Sequence, residues 1–351
     1  MTPGAHFDGE SVVVTGHQAA RTVLRDWQTF TVDDPRFTTS RLTGPSMLST
    51  DGREHARHRA PFVGAFSPRR VDDRYAEQVQ QLCAELVAAI RPRGRADLRQ
   101  ELAAPLAAAV MQRALGLGEV DRSMLLQWYD ALSAEVELLT ADGAPTDTGR
   151  CAYAAVAERV AARLPGSVLA AAGDSLDPAE VSANAVVMML GGIDTTEGMI
   201  SFALTHLLAS DWAPRAAADP AVLERAVEES LRLEPAARFV DRYATADTGI
   251  GALAVPEGTL VRVDLRAANR DPAVFTDPDH FRPDRPELRR HLSFVVGPHV
   301  CIGAHLARLE TVAAVRAALT GLPELALADG AAAVEGHVFV KPAHVHARWT
   351  P

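Results

Sequence analysis

The run HLSFVVGPHVCIGAHLARLE, residues 291–310, surrounds Cys301 with residues that suit a metal-bound thiolate. Gly297 and Gly303 let the backbone bend close to a ligand atom, and Pro298 stiffens the bend. From about Ile302 apolar residues recur at helical spacing (Leu306, Leu309, Val312, Val315), so the cysteine is expected at a helix N-terminus. Unpaired N–H groups and the positive end of the helix dipole favour sulfur as an anion there, the form that binds iron. Two other readings compete. A single cysteine is commonly a small buried hydrophobe, and His299 could form a nucleophilic pair with it, although no third residue is evident to orient that pair.

A second group, Gly191-Gly192-Ile193-Asp194-Thr195-Thr196, stands in the middle of a long helical pattern. Asp177-Pro178-Ala179-Glu180 starts that pattern with an N-cap, a proline at the first helical position and a capping-box glutamate. It runs to about Ala209, about 32 residues or roughly 48 Å. Each interior glycine costs about 1 kcal/mol relative to alanine, and such local violations gather at functional sites. The glycines leave room for a flat cofactor, and a threonine hydroxyl can bond the carbonyl four residues back. A Gly-Gly helix-packing contact is the competing reading. Third, Glu229 and Arg232 share a helix face just before Pro235, although most pairs at this spacing are solvated.

Together the spacing F-x-x-G-x-H-x-C-x-G-x-x-L-A-R from Phe294 to Arg308, the Gly-Gly-x-Asp-Thr helix and the E-x-x-R pair resemble the cytochrome P450 family over nearly the whole chain. The resemblance implies a mainly α fold with small β-sheets, one large domain over residues 1–351, and haem b (iron protoporphyrin IX) between the long helix and the cysteine loop, with O₂ as co-substrate. Cys301 would be the iron's thiolate ligand, in a loop that also contributes Phe294 and Gly303 to the haem site. Gly191 and Gly192 would line the oxygen pocket, and Asp194 and Thr195 would relay protons. Glu229 and Arg232 would form a buried structural ion pair pinning the meander near Phe281, Arg282 and Asp284. Haem propionates call for cations, and His55, Arg59, Arg242 and His299 occupy the matching positions. One departure is Val295, where the family usually has glycine.

The elements that must position these residues follow from periodicity and breakers. Helical patterning dominates from about residue 54 to 234, with breaks at Ser67-Pro68, Arg91 to Arg95, Leu117-Gly118, Ala141 to Thr146 and Leu164 to Ser167. The flanking parts, about 1–53 and 235–351, carry the β-type runs: Ser11 to Thr15, Gly251 to Val255, Thr259 to Asp264 and a final segment from His337 to Trp349. Position alone suggests substrate contacts at Met47, Leu48, Leu190, Thr195, Ala237, Arg238 and Val240, and at Pro342 and Ala343 in a final hairpin turn. An inward Arg238 would anchor a carboxylate or phosphate; outward, the reading we favour, it is solvated. The chain is shorter than most soluble bacterial members, ahead of the Val12 strand (which usually has a leading helix and partner strand), in the loop from Asp33 to Asp51, and between Leu164 and Asp177. A wider pocket mouth, open to a bulky or carrier-bound substrate, is one expectation.

Composition agrees. With 351 residues, 48% of them hydrophobic, the chain can bury a sizeable core. Three widely spaced cysteines suggest neither a disulfide framework nor a zinc site, which points to a reducing cytoplasm. No signal peptide is read, and the most apolar stretch, Ala185 to Ile193, stops at Asp194, so no membrane span is expected. A net charge of -10 argues against nucleic-acid binding. The expected function is a monomeric haem-thiolate monooxygenase acting on a small organic substrate in bacterial secondary metabolism. Oxidative coupling, desaturation or heteroatom oxidation on the same scaffold is an alternative, as is a haem protein that binds a ligand without oxygenating it. No flavin or Fe–S domain and no G-x-G-x-x-G fingerprint is present, so electrons are expected from a ferredoxin and its reductase. A basic patch of Arg53, Arg57, Arg285, Arg289 and Arg290 would steer the acidic partner.

Overall fold

The computed structural model describes residues 4–141, 143–162, 167–330 and 332–351. Its helices are α1 (His17–Arg25), α2 (Thr38–Thr43), α3 (Gly52–Val63), α4 (Pro68–Ile90), α5 (Ala104–Leu115), α6 (Arg122–Thr140), α7 (Asp147–Ala161), α8 (Pro178–Leu208), α9 (Ala213–Ala218), α10 (Pro220–Leu233), α11 (Leu265–Ala268) and α12 (Ala304–Gly321). The strands are β1 (Ala5–Phe7), β2 (Val12–Val14), β3 (Phe30–Thr31), β4 (Arg95–Asp97), β5 (Phe239–Ala244), β6 (Thr248–Ile250), β7 (Leu253–Val255), β8 (Leu260–Asp264), β9 (Ala326–Leu327), β10 (Val334–Glu335), β11 (Lys341–Pro342) and β12 (His346–Arg348). The largest sheet has the order β1-β2-β8-β5-β3, with β2 and β8 parallel and the other neighbours antiparallel. The architecture is mostly helical with small sheets, as expected.

Helix α8 is the axis. Asp177 accepts from the Glu180 N–H at 2.9 Å and Glu180 accepts from the Asp177 N–H at 3.0 Å, the reciprocal cap read from the sequence. The helix continues unbroken through Gly191-Gly192, because α5, α7, α10 and α12 pack around it and bury it along nearly its whole length. Tertiary burial thus outweighs the propensity cost of two glycines. A separate apolar cluster (Val12, Val14, Val261, Val263, Leu265) joins the main sheet to α1 and α11.

Several expectations need correction. The Val12 strand has its partner, β1, in antiparallel register with Phe7 opposite Val12. The loop from 33 to 51 contains α2, whose Arg41 donates to the Leu139 carbonyl in the last turn of α6 and to the Gly143 carbonyl just beyond that helix. Strand β5 was missed because its sequence, FVDRYA, interrupts apolar residues with a charged pair. The expected break from Leu164 to Ser167 falls largely outside the described residues, and a short 3-10 turn, Ala170–Asp174, follows it.

The E-x-x-R pair is buried, and it has a third member. Glu229 receives Nε and Nη2 of Arg232, each at 2.8 Å, and Nε of Arg285 at 2.9 Å from both carboxylate oxygens. The Arg282 N–H adds a bond of 2.8 Å. The outer donors of the two guanidinium groups go to carbonyls of the meander: Arg232 to Asn269, Pro278 and His280, and Arg285 to Thr276, Asp277 and His280. Arg285 is therefore a core residue and drops out of the surface patch. Arg57 is engaged by Glu54 and Glu180, which leaves Arg53, Arg289 and Arg290 as the exposed members. Glu229→Ala is expected to strand two buried cations and lower unfolding stability by about 3–5 kcal/mol, measurable by urea denaturation.

Candidate functional site

The cysteine loop is held from behind. The Asn269 side chain accepts from the Leu292 N–H at 2.6 Å and donates to Ser293, whose hydroxyl bonds the Leu231 carbonyl at 2.7 Å. Glu228 at the same end of α10 binds both His291 and Arg308, and the Arg308 guanidinium lies 4.4 Å from the centre of the Phe294 ring. Within the loop the Cys301 N–H donates to the Phe294 carbonyl at 3.0 Å. Gly297 has φ +87, and a Cβ there would stand 2.5 Å from the Leu24 carbonyl oxygen, so α1 approaches the loop through the missing side chain. Val295, where a glycine was expected, adopts φ 51, a left-handed conformation that costs a β-branched residue about 1–3 kcal/mol. It keeps the path a glycine would follow because its side chain packs against the main-sheet cluster.

Cys301 lies just ahead of α12, whose N-cap is Gly303. Its side chain faces a cavity of about 320 Å³ deep in the protein rather than bulk water. Burial pushes the thiol up, while a bond from the Gly303 N–H and the charges of Arg59 and Arg308 draw it partly back. The middle of α8 forms another wall, with Leu190, Gly191, Gly192, Thr195 and Thr196. A Cβ on Gly191 would meet open space, whereas Gly192 makes room for the Met111 side chain of α5. Thr195 donates to the Gly191 carbonyl at 2.5 Å, the back-bonding expected of a mid-helix threonine.

The four expected edge cations converge. His299 lies against His55, ring centres 4.3 Å apart, and is held by Asp51 at 2.7 Å. Asp51 also accepts from the Thr31 hydroxyl and the Val32 N–H, so it is fixed before it meets the histidine. Burial, His299 and Arg59 push His55 down to about 4, and its Nε2 is enclosed without a partner. Burial lowers Arg242 to about 10, and its hydrogen bond is to the Asp241 carbonyl. Arg59 reaches the Val300 carbonyl at 2.6 Å. Apolar walls, a thiol, open space at Gly191 and under-used donors at one edge fit a flat cofactor with anionic substituents, as haem is.

Asp194 is turned away from the cavity. Its carboxylate binds Lys341 of β11 at 2.5 Å and Ser133 of α6 at 3.3 Å; Lys341 also binds Glu197 at 3.0 Å, and Glu197 binds Arg99 at 2.7 Å. Burial alone would lower Lys341, but the two carboxylates outweigh it and raise it. The close approach depends on Gly198, where a Cβ would come 2.8 Å from the Val340 carbonyl. Sequence reading missed Lys341 and Asp51. Asp51 sits four residues before His55 and was read only as the end of a loop.

Of the expected substrate contacts, Met47, Leu48, Leu190, Thr195, Ala237 and Val240 line the cavity. Arg238 is exposed and points outward. Pro342 and Ala343 are outside the lining. The hairpin turns at Gly336 (φ +88) rather than at the proline, so Pro342 pairs with Val334 in the strand, the Ala343 carbonyl accepts from Arg99, and Val338 and Phe339 reach the cavity.

A thiol ahead of a helix, a glycine-opened long helix across the cavity and a cationic edge define the site of a haem-thiolate protein. The family described as Cytochrome P450 matches residues 218–320. Cytochrome P450 107B1 of Saccharopolyspora erythraea is 33% identical over 300 residues, covering 81% of this chain and 72% of that one. The cytochrome P450 monooxygenase PikC of Streptomyces venezuelae is 33% identical over 347 residues, covering 91% and 80%. The crystal structure of P450BioI in complex with hexadec-9Z-enoic acid ligated acyl carrier protein superposes with a TM-score of 0.88 at 27% identity, covering 97% of this chain and 92% of that one. The chain belongs to the cytochrome P450 family and is a monooxygenase of that type. Among the described residues no helix is long and apolar enough to cross a membrane.

The Glu228 clamp behind the loop gives a pH signature. Burial would raise its carboxyl, but His291 and Arg308 outweigh it and hold it at about 2, against an ordinary 4.5. A depressed carboxyl contributes stability that is complete above its unfolded value and lost as pH falls through the folded one. The window is thus from about 4.5 down to 2, and the contribution is on the order of 3 kcal/mol. Glu228→Gln is expected to lose that stability near neutral pH and to flatten acid unfolding across this window, followed by circular dichroism.

Proposed function

We propose that this P450 inserts one oxygen atom from O₂ into a small organic substrate, in bacterial secondary metabolism, with haem b as cofactor. A separate cytoplasmic ferredoxin and its reductase would supply the electrons, and residues 1–351 would act as one domain. The observation that carries the reading is that Cys301 and Thr195 face one apolar cavity from different elements. Bound haem supplies the oxygen chemistry; the residues supply its placement and protons. Cys301 ligates the iron through sulfur, in a loop whose geometry Phe294 and Gly303 help fix. Arg59 and Arg242 neutralise the propionates, and His55 and His299, both kept uncharged by burial, offer them ring nitrogens as hydrogen-bond partners; the partnerless Nε2 of His55 and the under-used guanidinium of Arg242 are the best support.

Thr195 holds a proton at its hydroxyl, now given to the Gly191 carbonyl, and can turn it into the cavity. Asp194 is the next group along the helix. Its carboxylate must leave Lys341, or draw a proton past it, to replenish Thr195. Gly191 keeps space for dioxygen, Gly192 serves instead to admit the Met111 side chain, and the apolar walls exclude water that would otherwise intercept protons. Arg53, Arg289 and Arg290 remain to steer an acidic redox partner.

The test is the reduced, carbon monoxide-bound spectrum of haem-loaded protein. A band in the thiolate-ligated position is expected, and it should vanish in Cys301→Ser; haem-loaded wild type without that band would sink the reading. Asp194→Asn is expected to slow product formation roughly 100-fold while substrate affinity, read by optical titration, stays unchanged. An equal loss in affinity would remove the proton role.

A further inference from the structure

Resting on the oxygenase reading, and adding a substrate class to it, we infer that the cavity selects neutral, largely apolar molecules carrying one oxygen function, recognised by threonine hydroxyls of α2. The lining is dominated by apolar side chains, including Phe37, Met47, Phe239 and Phe339. Among the described lining residues the cations are Arg59 and Arg242, and the one histidine, His299, is kept uncharged by burial; all three are assigned above to the haem edge. Arg238, the other candidate anchor for an anion, is exposed. A substrate carboxylate would therefore be buried without a counter-charge, at a cost far above that of a neutral oxygen.

Hydroxyls are available for such an oxygen where α2 meets the end of α6. Thr38, Thr39 and Thr140 all line the cavity. Thr140 Oγ1 lies 2.8 Å from the Val136 carbonyl and 3.3 Å from Thr38 Oγ1. A single proton serves the shorter contact, so Thr38 can donate to a ligand carbonyl or accept from a ligand hydroxyl. Thr39 beside it also lines the cavity, and its enclosed, partnerless hydroxyl gains a partner when the side chain turns it toward a ligand there. Of the other polar lining groups, Ser293 is held by Asn269 and the Leu231 carbonyl and Asp241 by Arg262, while Glu310, whose Oε2 has no partner and whose carboxyl is pushed up by burial, belongs to α12 on the Cys301 side of the cavity rather than to α2. A few placed polar groups in an apolar cavity set orientation and specificity. Elements α2 and α6 are separate from the loop that carries Cys301, so an oxygen held there orients the rest of the molecule within the cavity.

The test is optical titration of haem-loaded protein with three ligands of one carbon skeleton: butylbenzene, butyrophenone and phenylbutyrate. Wild type should bind the ketone most tightly and the carboxylate most weakly. Thr38→Val combined with Thr39→Val should weaken ketone binding roughly 3- to 10-fold and leave butylbenzene unchanged, while the corresponding double serine variant, which keeps the hydroxyls, should retain ketone affinity. Carboxylate binding as tight as that of the ketone, or equal losses for ketone and hydrocarbon in the valine variant, overturns the inference. The reduced carbon monoxide spectrum of each preparation separates these outcomes from a failure of the oxygenase reading, which would show as loss of the thiolate band in wild type.

Discussion

The structure depends on one carboxylate shared by two buried guanidinium groups. Glu229 neutralises only one of the two charges on Arg232 and Arg285, and the rest is solvated by backbone carbonyls of the meander. A buried pair of this kind is weak evidence for net stability, since a well-packed apolar core could do as well. Its value here is geometric. Carbonyls that must point at a guanidinium fix the course of a segment with little regular structure, and that segment carries Asn269 to the back of the cysteine loop.

From this anchor the site is assembled by elements that meet only in the folded state. Helix α10 supplies Glu228 and Glu229 on adjacent positions, one clamping the loop and the other the meander. Helix α8 supplies the glycine-opened wall and, on its other face, carboxylates tied to the C-terminal hairpin through Lys341. The same hairpin presents Val338 and Phe339 to the cavity. A single short segment thus touches both the space a substrate would fill and the acid beside Thr195.

Much of this was legible in the sequence because the chemistry demands particular residue types at fixed local spacing. Cys301 with its glycines, the Asp177 cap, Gly191-Gly192 and the i,i+3 pair of Glu229 and Arg232 are all local patterns. Asp51, Lys341 and the true role of Arg285 were hidden, since each takes its meaning from a partner far away in the chain: His299, Asp194 and Glu229. An isolated aspartate, lysine or arginine reads as a surface charge until its partner is known. The hairpin was misplaced because Pro342 looks like a turn residue, whereas Gly336 makes the turn and the proline occupies a strand. Helix α2 was too short for periodicity to reveal.

Val295 makes the geometry of the cysteine loop conditional on the rest of the molecule. A glycine visits the left-handed region freely even in an unfolded chain, whereas valine seldom does. The conformation at φ 51 is therefore imposed by packing against the main sheet rather than offered by the residue itself. The shape that presents the sulfur of Cys301 is thus held by sheet, meander and clamp together, and loosening any of them loosens the ligand loop as well.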